Sequence, residues 1–459
     1  ITSDIPLRER KNTLRRINEG EFKLVLCSDL ASRGLDFEKV SHVISLDIPQ
    51  NIDYYYHRSG RTGRNNSHGD SYIFYDDELN IKVFSDEEAY PYMTWIGEEV
   101  DEAYYKEVMA IEVNPGMDKS DFKIVFSPQH GTSNIAVRTC LTRLGYDLVP
   151  VLAQCAPDPD FSNTKSPNPE VPASYELAIK KAKEVDADVV VITDPDGDRL
   201  GVVAKHNGEY VLMSGNQSAA VYLEYILSQM KEKGTLPDNA VMYNTIVTSD
   251  LGELVARSYG VDVEKTLTGF KFIGDKIRKY EQTHEKTFVF GYEESYGCVI
   301  KDFVRDKDAV QAVLTAAEAG NFYKKQGKDL VDVLNELYAK HGTFKETQIA
   351  LSKAGAAGAA RIKEIMDNLR KDAPQEIGGV KVVKVEDYGN STCSDGTTIQ
   401  LPKSNVLKYY LEDGSWIAAR PSGTEPKCKF YFSIKGSDAD DAASKTEVFH
   451  KAMMEIIGE

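Results

Sequence analysis

The chain has 459 residues, enough for three or four domains, and its 41% hydrophobic and 28% charged content is that of a globular protein. The net charge of −17 is uneven, with 12 Lys/Arg against 14 Asp/Glu over residues 1–86 and 43 against 58 beyond; so acidic a body repels nucleic-acid phosphates but admits a small anion in a locally basic cleft. No apolar run reaches the roughly 18 residues of a membrane helix, and the six cysteines are scattered without a CxxC pair, which excludes a zinc ribbon, redox dithiol or disulfide scaffold and points to a cytoplasmic location.

The opening residues, ITSDIPLRERKNTL, lack a signal peptide's apolar core and an initiator Met, so the sequence is expected to begin inside a folded unit. Within 1–85, Phe22–Cys27, Val40–Leu46 and Ser71–Tyr75 predict short strands, set among polar helical stretches such as RERKNTLRRI and DYYYHRSGRT. The acidic, breaker-rich text from Asp76 to Tyr92 marks a boundary. Beyond it one grammar recurs. FKIVFS ends in PQHGTS and leads to a helix, NIAVRTCLTRLG; DVVVIT ends in DPDGDR; TFVF ends in GYEESYG. Buried-type strands followed by polar, glycine-containing loops predict parallel α/β units, whose ligands gather beyond the carboxyl ends of the strands. A helical region over about 306–340 precedes KAGAAGAARIKEIM, read as a hinge into a helix; the last unit sets WIAARPSGTEPKCKFYFSIK between strands and closes on a helix near ASKTEVFHKAMMEII. The expected divisions are 1–85, a junction at 86–97, then 98–236, 237–350 and 351–459.

Three loops carry chemistry. In Asp194-Pro-Asp196-Gly-Asp198-Arg199, alternate residues of an extended loop would aim three carboxylates at one point. Such anions repel unless a cation sits among them, and oxygen donors suit Mg²⁺, Mn²⁺ or Ca²⁺. An EF-hand would need Gly and Glu where Arg199 and Lys205 stand. The alternative is an acidic surface turn. Arg420-Pro-Ser422-Gly423-Thr424-Glu425-Pro-Lys427 combines cations, hydroxyls and a glycine-opened backbone, a compact anion cradle, or else a polar hairpin turn. Gly291-Tyr-Glu293-Glu294-Ser295-Tyr-Gly297 suits hydrogen bonding to sugar hydroxyls, or else begins a helix whose dipole favours acids.

Taken together and in this order, the loops resemble the α-D-phosphohexomutase superfamily, in particular its bacterial phosphoglucomutase/phosphomannomutase branch, from about Thr94 to the C-terminus. The resemblance implies two mixed or parallel α/β mutase domains and a C-terminal α+β domain. It implies Mg²⁺ on Asp194, Asp196 and Asp198, with Arg199 as a charge stabiliser. Sugar contacts fall to Glu293 and Ser295, joined by Gly269 and Lys271 of a further matching loop, Thr268-Gly-Phe-Lys271. Phosphate contacts fall to Arg420, Ser422, Gly423, Thr424 and Lys427. The loop Ser127-Pro-Gln-His130-Gly131-Thr132 also fits, with no role assigned to His130. The implied reaction interconverts hexose 1- and 6-phosphates through a bisphosphate, with a glucose 1,6-bisphosphate type of activator; the sugar is left open between glucose and mannose, the GYEESYG variant leaning toward glucose by resemblance. The family's Thr-Ala-Ser-His-Asn-Pro phosphoserine loop has no counterpart here. Ser166-Pro167-Asn168-Pro169 is read as a proline-fixed connection, and the chain alone is expected to bind hexose phosphates without turning them over.

The first block resembles a different family. Ser28-Asp29-Leu-Ala-Ser-Arg33-Gly34-Leu35-Asp36 and His57-Arg58-Ser-Gly60-Arg61-Thr-Gly63-Arg64 are similar to motifs V and VI of DEAD-box RNA helicases, which implies a partial RecA-like lobe. By that resemblance Arg61 and Arg64 would reach an ATP γ-phosphate, but the sequence holds neither a Walker A nor a D-E-A-D motif, so ATP and RNA are not expected as partners. A join of two truncated genes is the expected origin.

Overall fold

The computed structural model describes residues 96–353, 355–422 and 426–459, and before them 12–13, 15–17, 19, 21–22, 25, 40, 42–45, 70–73 and 85–94. It forms two compact units, Ile1–Ile96 and Gly97–Glu459. In the first, β1 (His42–Ser45) and β2 (Asp70–Ile73) pair in parallel, within or overlapping two of the expected strands, and α1 (Asp86–Ala89) lies in the acidic stretch. Phe22 and Val25, of the other expected strand, are in no regular element. Both helicase-like motifs, Arg61 and Arg64 included, lie outside the described residues.

The second unit opens on α2 (Glu98–Met109), whose first turn carries Glu98, Glu99 and Asp101 where the helix dipole favours acids. Then follow β3 (Lys123–Ser127), α3 (Ser133–Leu144), β4 (Asp147–Pro150), α4 (Glu176–Val185), β5 (Val189–Thr193), β6 (Leu200–His206) and β7 (Glu209–Met213). Their sheet runs β4-β3-β5-β6-β7, with β3, β4 and β5 parallel and the last two strands antiparallel. All five residues of β5 are buried, as a strand covered on both faces requires.

A second layered set comprises α5 (Gly215–Glu232), β8 (Ala240–Thr245), α6 (Asp250–Ser258), β9 (Asp262–Thr266), α7 (Lys271–Thr283), β10 (Thr287–Tyr292), β11 (Cys298–Val299), α8 (Ala309–Lys324) and α9 (Leu330–His341). The order is β11-β10-β8-β9, parallel except for β11. Because α5 packs against α6 and α9, it goes with this sheet, ahead of the boundary expected after residue 236.

The C-terminal part holds β12 (Thr343–Ser352), α10 (Gly355–Lys371), β13 (Glu376–Ile377), β14 (Val380–Asp387), β15 (Thr392–Cys393), β16 (Leu407–Leu411), β17 (Trp416–Pro421), β18 (Lys427–Gly436) and α11 (Ala439–Ile457). This sheet is antiparallel, in the order β12-β18-β17-β16-β14-β13, with β15 on β14. The boundary expected after residue 350 falls inside β12, which pairs with β18 from Thr343↔Gly436 to Ser352↔Lys427. The break lies instead at Gly342, whose φ of +102° ends α9. Among the described residues no helix is long and apolar enough to cross a membrane.

Candidate functional site

Loops leaving the carboxyl ends of β3, β5, β9 and β10 supply the candidate residues of the first two sheets. After β5, Asp194 Oδ1 accepts the backbone N–H groups of Asp198 and Arg199, each at 3.1 Å, and Gly197, with φ of +74°, donates its N–H to Asp194 O. The segment is therefore a tight turn and not the extended loop expected. Asp194 is buried, Asp198 half-buried and Asp196 exposed. Among the described residues, three carboxylate or imidazole ligand atoms meet within 4.8 Å at His206, Asp329 and Asp332, away from this turn's trio.

Cationic side chains stand beside these carboxylates. Arg199 Nε lies 3.7 Å from both Asp194 Oδ2 and Asp198 Oδ1, and Lys307 Nζ lies 3.0 Å from Asp198 Oδ2. Burial, then the neighbouring Asp198, pushes the Asp194 carboxyl up to about 6. Asp198 Oδ1 is buried with no hydrogen-bond partner. A set of oxygen donors with one orphaned carboxylate oxygen fits a hard divalent cation such as Mg²⁺.

The β3 loop is locked onto this turn. Thr132 donates its N–H to Pro195 O at 3.0 Å and its hydroxyl to Asp196 O at 3.1 Å. A Cβ on Gly131 would sit 2.4 Å from Pro195 Cα, so only glycine fits there. Gln129 and His130 both occupy the left-handed region, at φ of 49° and 65°, a strain tolerated where the surrounding structure fixes the backbone.

Glu293, after β10, is buried, and its Oε1 accepts the Gly269 N–H at 2.7 Å, joining two loops that the sequence set apart. Glu294 Oε2 accepts from Thr245 Oγ1 at 3.1 Å; burial, then Glu293, raises its carboxyl to about 7. Ser295 is half-buried, and Lys271 is exposed at the first residue of α7. Two backbone bonds join the two layers here: Leu200 N–H, at the start of β6, to Tyr296 O of the Glu293 loop at 2.9 Å, and Ala309 N–H, at the start of α8, to Gly197 O of the β5 turn at 3.0 Å. The Lys307 side chain crosses Gly297, where an added Cβ would lie 2.0 Å from Lys307 Cδ. A cleft of about 930 Å³ results, lined by Thr132, Asp196, Asp198, Lys271, Arg278 and Lys307 among others.

Sequence reasoning missed Lys307. Its only signal is the charged run Arg305-Asp-Lys-Asp308 ahead of α8, whose N-cap is Asp308. On the C-terminal sheet, Arg420 lies opposite Lys429 and its Nη1 donates to Tyr431 OH at 3.4 Å. Ser422 N–H donates to Lys427 O at 2.7 Å, closing the turn between β17 and β18. Gly423 and Thr424 lie outside the described residues.

Comparison with known proteins matches three family models in chain order. Those described as phosphoglucomutase/phosphomannomutase alpha/beta/alpha domain II, alpha/beta/alpha domain III and C-terminal domain match residues 102–208, 214–341 and 359–451. The helicase conserved C-terminal domain matches residues 1–66. A phosphoglucomutase of Staphylococcus epidermidis strain ATCC 12228 is 38% identical over 354 residues, 76% of this chain and 63% of the relative. One from Staphylococcus aureus strain MRSA252 is 39% identical over 334 residues, 71% of this chain and 59% of the relative. The chain thus spans less than two thirds of the length of these curated relatives. Among solved structures, the open form of parafusin, a phosphoglucomutase from Paramecium, superposes with a TM-score of 0.56 at 18% identity, over 79% of this chain and 63% of that one. A putative phosphomannomutase from Thermus thermophilus gives 0.55 at 18% identity, over 78% and 66%. These two show a shared fold.

Proposed function

We propose a function from one premise: the chain belongs to the phosphoglucomutase/phosphomannomutase family, of which it carries domains II, III and IV. These domains bind hexose 1- and 6-phosphates and serve their interconversion through a hexose bisphosphate such as glucose 1,6-bisphosphate. The observation that carries this reading is the cleft whose wall brings Asp196 and Asp198 of the β5 turn together with Lys271 and Lys307, in an otherwise acidic protein.

Asp194, Asp196 and Asp198 would hold Mg²⁺, which when bound neutralises charge on a transferring phosphoryl group. Arg199 and Lys307 stand beside the same carboxylates and add fixed positive charge there. Glu293 and Ser295, with Gly269 and Lys271, face the sugar; Arg420, Ser422, Gly423, Thr424 and Lys427 hold its phosphate. The phosphoryl-carrying serine is supplied from outside these three domains. Calorimetry of the chain with Mg²⁺ and glucose 6-phosphate tests the reading. Both should bind, and Asp196→Ala should lose the metal; equal Mg²⁺ affinity in the two proteins removes the metal assignment.

A further inference from the structure

The two anion-holding ends of the proposed site are spanned by a series of side chains, hydrogen-bonded at every step but one. Glu170 follows Pro167-Asn168-Pro169 in the connection to α4, a stretch to which the proposed reaction gives no task. Three bonds hold the backbone of Glu170 and of the two residues before it. Asn168 Oδ1 accepts the Glu170 N–H at 3.0 Å, Tyr175 OH donates to Pro169 O at 2.7 Å, and Ser174 Oγ donates to Asn168 O at 2.6 Å. From this fixed base the carboxylate reaches two domains. Oε1 accepts from Arg199 Nη1 at 3.2 Å, and Oε2 accepts from Gln348 Nε2 at 3.3 Å.

Arg199 is the arginine of the β5 turn. Gln348 lies on β12 directly opposite Tyr431 of β18, and directly paired residues present their side chains on one face of the sheet. Tyr431 OH in turn accepts from Arg420. The series therefore runs by hydrogen bonds from Arg199 through Glu170 to Gln348, passes to Tyr431 as the cross-strand neighbour, and ends by a hydrogen bond at Arg420, crossing from the first sheet's domain to the C-terminal one.

We propose that Glu170 is a positioning residue that sets the spacing between Arg199 at the metal end and Arg420 at the phosphate end. The inference rests on the hexose-phosphate reading above. A monophosphate can satisfy one end and tolerate drift of the other. A bisphosphate must engage both at once, so it alone senses their separation, and its affinity depends on that separation being set before it binds.

The test compares affinities of the full chain for glucose 6-phosphate and glucose 1,6-bisphosphate in Mg²⁺, alongside thermal unfolding. Glu170→Ala and Gln348→Ala should each weaken the bisphosphate by about tenfold, the scale of a lost charge-assisted bond, and the monophosphate by under about threefold. The double variant should lose little more than either alone, because both remove one link. Glu170→Gln, which keeps an acceptor and a similar length, should restore most of the bisphosphate affinity. Equal loss for both ligands, or no loss for the bisphosphate, overturns the assignment of Glu170 alone. Absence of glucose 6-phosphate binding by the unmodified chain overturns the proposed function, and this inference with it.

Discussion

Between the first two sheets of the second unit the seam is made of backbone and core, whereas the C-terminal domain meets them through side chains. At the first seam, loop amides bond across, one hydrophobic cluster runs from Phe126 and Val191 through Leu223 to Phe290, and a Cβ on Gly320 of α8 would lie 2.5 Å from the Phe122 ring. At the second, Lys408 Nζ donates to Ile246 O at 2.8 Å and Trp416 Nε1 to Asp250 Oδ2 at 3.1 Å, over a small cluster of Ile246, Val247, Leu267, Trp416 and neighbours. Lys408 is buried with its ammonium 3.8 Å from the Trp416 ring centre, and burial brings its pKa down to about 8. The C-terminal domain keeps its own core of Phe430, Phe432 and Phe449. The loops proposed to hold metal and sugar thus sit on one block, while Arg420 rides on a lobe whose placement depends on a few side chains. Seams of that second kind are where domains move.

Core truncation gives the largest test of this contrast. Phe126→Ala and Phe430→Ala each remove a fully buried ring and should cost about 3–5 kcal/mol. By calorimetry, Phe126→Ala should lower a transition shared by the first two sheets, and Phe430→Ala one confined to the C-terminal domain. A single common transition lowered equally by both would break the comparison.

Ligand binding sharpens it at smaller scale. Arg420→Ala should weaken glucose 6-phosphate by about 1.5–3 kcal/mol, the range for a charge-assisted bond, and Glu293→Ala by about 1 kcal/mol, the range for a sugar hydroxyl contact. Arg420→Ala should also leave Mg²⁺ affinity unchanged, since the two sites lie on different bodies. The reverse order of effects would mean that the two loops have exchanged tasks.

Most of the layered architecture was legible because short buried strands and polar loops alternate in the text, and β3, β5 and β10 do end at PQHGTS, DPDGDR and GYEESYG. What stayed hidden depends on distant pairing or local curvature. Lys307 reads as one charge in a solvated run until the fold lays it against Asp198. Glu170 reads as the end of a proline turn until Arg199 and Gln348 arrive from two other elements. The Asp194–Asp198 segment reads as extended in the sequence; Gly197 and the amide bonds to Asp194 curl it. Likewise β12 follows α9 so closely in sequence that only its ladder with β18 assigns it to the last domain.

A small effect should also come from a single charge at the side-chain seam. Glu346 stands on β12, with one carboxylate oxygen, Oε1, buried and without a partner. Burial pushes its carboxyl up to about 7, against a bond from Ser249 and with a further push from Asp250. The folded chain therefore keeps this proton at pH values where the unfolded chain, titrating near 4.5, has lost it. Stability from this group is complete below pH 4.5 and falls as pH rises through 7, because the unfolded state there binds fewer protons. Glu346→Gln keeps the shape and removes the titration. At pH 8 it should stabilise the protein by about 1–2 kcal/mol, discounted for a side chain that is only half-buried, and at pH 4 it should change nothing. Urea unfolding at pH 4, 6 and 8 measures the difference. A gain that is the same at pH 4 and pH 8 would mean that packing, and not the buried charge, governs how the C-terminal domain docks.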